Sequence, residues 1–104
     1  MSEYVRVGSV DDFEDGVLYD RVVDGRHVAV VRSGDRFYAM LNLCTHAGYL
    51  LTPGRLRDGL VDCFGHGAAF RVEDGVAVEG PAGDPLELYD VRVEGTDVLV
   101  APRT

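Results

Sequence analysis

Both cysteines and two of the three histidines of this 104-residue chain fall within residues 44–66, as Cys44-x-His46 and, after sixteen intervening residues, Cys63-x-x-His66. Thiolate and neutral imidazole are both metal donors. In an extended segment, residues two apart face the same side at roughly 6–7 Å, so Cys44 and His46 can reach past one centre to two. Gly48, Gly65 and Gly67 lie in or beside the pairs, where glycine lets backbone approach a bound group and turn N–H donors inward. Four readings compete. Core cysteines with incidental histidines would require two mixed pairs to arise by coincidence. A cysteine nucleophile with a histidine base does not explain why the pair occurs twice. A structural Cys2His2 zinc site usually pairs like with like, and one intervening residue is tight for two ligands of a tetrahedral ion. A 2Fe-2S cluster with two thiolates on one iron and two imidazoles on the other gives the mixing a reason: each segment supplies a cysteine to one iron and a histidine to the other.

Such segments need a frame. Short Val-rich runs at residues 4–7, 17–23, 27–31, 36–41, 60–62, 69–72, 76–78, 88–94 and 97–101 read as strands. Asp24-Gly25, Gly34-Asp35, Asp74-Gly75 and Gly95-Thr96 sit between such runs and predict hairpins, hence antiparallel meanders. Thirteen glycines and four prolines interrupt any long helical period, leaving at most a helical turn at 10–14. The class is all-β, a sandwich or small barrel. Between Asn42 and Pro85 glycine and proline become dense, which predicts long loops carried on the β framework.

Composition limits the partners. The length suits one domain with one modest core, and 46% hydrophobic with 27% charged residues suits a globular protein. No apolar run approaches the roughly 20 residues that span a bilayer. The opening MSEYVRVGSVDDFEDG has neither the basic nor the apolar region of a signal peptide, so the expected location is cytoplasmic, with reduced thiols. The net charge of −8, spread along the chain, argues against nucleic acid or an anionic membrane and suits a partner with a basic docking face. His27, in a predicted strand after a hairpin turn, reads as a surface or edge residue.

The Cys44-x-His46 and Cys63-x-x-His66 pattern resembles the Rieske iron-sulfur motif. The resemblance extends further: YAMLNLCTHAG is similar to the approach to the first ligand pair of Rieske-type ferredoxins, HGAAF to the exit from the second, and PLELYDVRVEGTDVLV to their closing hairpin. GPAGDP, 80–85, stands where these proteins carry a proline-bearing loop over the cluster. It implies a single Rieske domain over 1–104, an antiparallel β-sandwich with a loop-rich cluster-binding subdomain at about 43–85. It implies one [2Fe-2S] cluster, with Cys44 and Cys63 on the more shielded iron and His46 and His66 on the iron nearer solvent. The chain has neither the extra cysteine pair nor the anchor of respiratory Rieske proteins. Ala68 and Phe70 replace the Ser and Tyr that donate to cluster sulfurs there, which predicts a low potential.

With His46 and His66 assigned, only His27 is left, too few histidines for the two-histidine, one-carboxylate iron of an oxygenase, and no Gly-x-Gly-x-x-Gly follows a strand. The resemblance therefore implies an electron carrier and not an enzyme: a monomeric ferredoxin that takes electrons from an NAD(P)H-dependent flavin reductase and passes them to a terminal oxygenase. Tyr49, Leu50, Leu51 and Phe64 would form an apolar rim around the ligands, or simply shield the cluster. The alternatives are a relative of the small subunit of assimilatory nitrite reductase and a zinc-stabilised interaction module.

Overall fold

The computed structural model describes residues 3–43, 50–52, 54–62, 69–79 and 84–103. Among these residues ten strands follow in chain order: β1 (Val5–Ser9), β2 (Leu18–Val23), β3 (Arg26–Ser33), β4 (Arg36–Leu41), β5 (Leu56–Arg57), β6 (Leu60–Asp62), β7 (Ala69–Arg71), β8 (Ala77–Glu79), β9 (Leu88–Glu94) and β10 (Asp97–Pro102). A six-stranded sheet runs β1-β10-β9-β4-β3-β2, and a four-stranded sheet runs β5-β6-β7-β8. Every strand pair is antiparallel, as the hairpin signals require. The only helical element among the described residues is a 3-10 turn, Val10–Asp12, closed by Ser9 N–H donating to Asp12 Oδ2 at 2.8 Å.

The turns explain the meanders. Asp24 and Gly25 have φ of 52° and 76°, and Asp58 and Gly59 have 52° and 79°. Positive φ at both central residues is the hairpin turn whose twist matches the strands it joins, and Asp-Gly is a preferred pair for it. Asp24-Gly25 links β2 to β3. Asp58-Gly59 links β5 to β6, a hairpin missing from the sequence expectation. Within 42–85 the described residues therefore include a four-stranded sheet, one strand more than the sequence expectation placed there.

The six-stranded sheet buries both faces of its middle, which accounts for the unbroken apolar run Val28-Ala29-Val30-Val31 in β3. One face packs Val7, Phe13, Val23, Val28, Val30, Ala39, Tyr89, Val98 and Val100. The sheet curls around this core until Arg21 Nε on β2 donates to the Val7 carbonyl on β1 at 3.0 Å. The opposite face packs Leu18, Ala29, Val31 and Met40 against Leu51, Val61, Phe70, Val72 and Leu86 of the small sheet and its connections. Each fully buried Val, Leu or Phe there contributes about 1.5–3 kcal/mol relative to exposure. The two sheets are also joined through main chain: Leu56 N–H donates to Gly16 carbonyl at 2.9 Å, beside an isolated antiparallel bridge between Val17 and Arg55. The small sheet, and whatever its ends carry, therefore has a fixed seat on the large one.

Candidate metal centre

Cys44, His46, Cys63 and His66, with Tyr49, Phe64 and Ala68, lie outside the described residues. The structure does describe the four points from which their two segments leave and return. The first leaves from Leu43, two residues past the end of β4, and returns at Leu50. Asn42 closes this neck. It is 2% exposed, and its Oδ1 accepts from the main-chain N–H of Leu51 at 2.8 Å and of Thr52 at 3.1 Å. Its Nδ2 donates to Asp20 Oδ1 at 2.8 Å and to Thr52 Oγ1 at 3.0 Å. Its own N–H donates to the His27 carbonyl at 2.9 Å. A buried amide whose donors and acceptor are all used is rigidly held.

The second segment spans residues 63–68, between the strand ends Asp62 and Ala69, which face each other in the β6–β7 register. That pairing brings the start and finish of the segment together. Arg57, on the neighbouring strand, donates to Asp62 at 3.0 Å in an exposed pair. Such pairs contribute little stability.

Gly54 joins the two necks. Its N–H donates to the Leu51 carbonyl at 2.7 Å. A Cβ on residue 54 would stand 2.7 Å from the Leu51 oxygen and 2.9 Å from the Asp62 oxygen. The main chain closing the first segment and the main chain opening the second are thus packed on either side of a single glycine. Glycine is needed there for space rather than for an unusual φ.

These observations fit the donor chemistry inferred from sequence: two segments, each carrying one cysteine and one histidine, leave from main chain packed about Gly54. Phe70 is fully buried in the core between the sheets, and its side chain offers no hydroxyl. The rim expectation divides: Leu50 is 52% exposed, as a rim requires, whereas Leu51 is fully buried because it plugs the core beneath Asn42. Leu43 is likewise exposed, at 40%.

His27 is exposed, as expected of a lone histidine on a strand, but it is not without a partner. Its Nδ1 lies 2.8 Å from Asp20 Oδ2. Burial acts to raise the Asp20 pKa, but hydrogen bonds from Asn42 and His27, and the charges of His27 and Arg21, outweigh it and hold the carboxyl below the ordinary aspartate value. Sequence reasoning passed over Asn42 and Asp20. The available signal is a polar residue two positions before Cys44, directly after the largely apolar run of β4.

No helix among the described residues is long and apolar enough to cross a membrane. The profile of the Rieske [2Fe-2S] domain matches residues 3–99. The anthranilate 1,2-dioxygenase ferredoxin subunit of Burkholderia cepacia is 30% identical over 100 residues, covering 96% of this chain and 93% of that protein. The ferredoxin of carbazole 1,9a-dioxygenase from Nocardioides aromaticivorans IC177 superposes with a TM-score of 0.92 at 40% identity, covering 96% of this chain and 98% of the other. A chain from the complex of reduced oxygenase and oxidized ferredoxin in carbazole 1,9a-dioxygenase superposes with a TM-score of 0.89 at 32% identity, covering 97% and 96%.

Proposed function

The chain belongs to the Rieske [2Fe-2S] domain family, and from that premise we propose that it is a one-electron carrier between an NAD(P)H-dependent flavin reductase and a terminal oxygenase. It acts as the ferredoxin of a multicomponent oxygenase system and is not itself the oxygen-activating enzyme. Two relatives that match it almost end to end are named as ferredoxins of dioxygenases, and a third match is a chain from a complex of reduced oxygenase and oxidized ferredoxin. The observation that carries the reading is the joint at Gly54, which seats both Cys/His segments on one base.

In this reading Cys44, His46, Cys63 and His66 hold the [2Fe-2S] group, and residues 43–85 form the cluster-binding part of a single domain spanning 1–104. The bound group supplies reversible one-electron chemistry. The chain determines how readily that happens. Two neutral imidazoles in place of two thiolates leave the oxidised centre less negative, which favours taking up an electron relative to an all-cysteine site. Ala68 and Phe70, lacking hydroxyls, withhold hydrogen bonds that would favour the reduced form further. The result is a Rieske centre of low potential. We assign it to the cytoplasm, as a monomer that docks briefly on each partner.

The test is reconstitution. NADH, a ferredoxin reductase of this class, this protein and a ring-hydroxylating terminal oxygenase should together turn over an aromatic substrate, with the rate falling to background when this protein is omitted. Turnover that does not depend on it would refute the carrier role.

A further inference from the structure

We propose that Asp20 is a positioning residue for the first ligand segment, acting through Asn42 and held in place by His27. The proposal rests on the reading of Cys44 and His46 as cluster ligands.

A carboxamide can sit in two orientations related by exchanging its oxygen and nitrogen. At Asn42 one orientation directs Oδ1 at the N–H groups of Leu51 and Thr52, which can only donate. The other would set its NH2 against those same donors. The Thr52 hydroxyl, 3.0 Å from Nδ2, is indifferent, because a hydroxyl both donates and accepts. Asp20 is not indifferent. An ionised carboxylate only accepts, and with Oδ1 at 2.8 Å from Nδ2 it admits one orientation alone. His27 fixes the carboxylate in turn: Nδ1 faces Oδ2 at 2.8 Å, and the His27 carbonyl takes the Asn42 N–H at 2.9 Å.

Asp20 on β2 and His27 on β3 thus reach the neck closed by Asn42, two residues before Cys44. They belong to strands that contribute no ligand. His27, the one histidine left over from cluster binding, thereby has a structural role, securing a carboxylate that reinforces the orientation of Asn42 in the neck. An arrangement that fixes donors around a cofactor from behind, without touching it, governs how firmly the cofactor is held.

The test compares holoprotein variants. Asp20→Ala removes the acceptor. Asp20→Asn keeps an acceptor oxygen for Asn42, so it should restore the arrangement without the charge. Asp97→Ala, which breaks the exposed pair with Arg6, serves as a control for loss of a surface ion pair. Iron and acid-labile sulfide are measured first, and a wild-type protein without them overturns the ligand reading and the proposal with it. Given that cluster, Asp20→Ala should accelerate bleaching of the visible absorbance by a chelator about tenfold, the effect of losing one charge-assisted hydrogen bond, and should broaden the electron paramagnetic resonance lines of the reduced protein. Asp20→Asn and Asp97→Ala should bleach within about twofold of wild type with unbroadened lines. The proposal is overturned, and the ligand reading left standing, if Asp20→Ala matches wild type in both measurements or if Asp20→Asn behaves like Asp20→Ala.

Discussion

Replacing Gly54 with Ala tests the joint between the two ligand segments. The added methyl carbon would lie 2.7 Å from the Leu51 oxygen and 2.9 Å from the Asp62 oxygen, against about 3.3–3.6 Å for a relaxed carbon to carbonyl contact. Both neighbours are main chain and cannot swing aside, so the two necks must part by several tenths of an ångström. Overpacking of this kind costs about 1–3 kcal/mol. At about 4–8 °C per kcal/mol for a domain of this size, the holoprotein should melt about 5–20 °C lower by scanning calorimetry. Because the displacement falls on the main chain flanking Cys63 and closing the segment of Cys44 and His46, chelator-driven cluster loss should accelerate in parallel. Gly95→Ala is the matched control. It sits at φ +63° with nothing within 4 Å of the new methyl, so it carries backbone strain of about 1–2 kcal/mol in the β9–β10 turn and should lower the melting point without hastening cluster loss. An unchanged melting point for Gly54→Ala, or equal cluster loss in both variants, would refute the reasoning.

Further outcomes follow from the same contacts. Asn42→Ala strips the buried Leu51 N–H of its acceptor and should cost about 2–4 kcal/mol in urea unfolding; a loss below about 1 kcal/mol would count against the neck. The Tyr89 hydroxyl is buried with no hydrogen-bond partner among the described residues, so Tyr89→Phe should be neutral or stabilising by up to about 1 kcal/mol, and a clear destabilisation would reveal a partner. The Asp20 carboxyl is held below its ordinary value of 3.8. A depressed pKa contributes stability above the unfolded value that is lost as pH falls through the folded one, so the stability gap between wild type and Asp20→Asn should hold above pH 3.8 and close below it. With a net charge of −8, steering toward basic partners should make reduction by the reductase slow as salt rises; a salt-independent rate would remove steering from the account.

Much of the frame is legible in the chain because hairpin chemistry is local. Asp24-Gly25 and Gly95-Thr96 mark turns from sequence alone, and the strands on either side fall where they predict. The β5–β6 hairpin escapes notice although Asp58-Gly59 carries the same signal, because Leu56–Arg57 is too short for a periodicity to register. The proposed ligand set is legible because scarce residue types at fixed spacing carry chemistry in the chain itself. What holds those segments is not. Asn42, Asp20 and His27 are 22 and 7 residues apart in their pairings, and a polar residue at a strand end gives no local sign of whether it is solvated or buried. Leu51 shows the converse: a leucine near the ligands reads as rim, and only the packing of Leu18, Met40 and Val61 about it reveals a core position.

The central claim is that this chain binds a [2Fe-2S] group through two cysteines and two histidines. Electron spin echo envelope modulation of the reduced, uniformly 15N-labelled protein tests it most directly, alongside iron and acid-labile sulfide content. The account predicts iron and sulfide in equal amounts, two of each per chain, and couplings from two histidine nitrogens that are lost with the cluster's spectrum in His46→Ala or His66→Ala. A colourless protein containing zinc, or an iron cluster without nitrogen coupling, would contradict it.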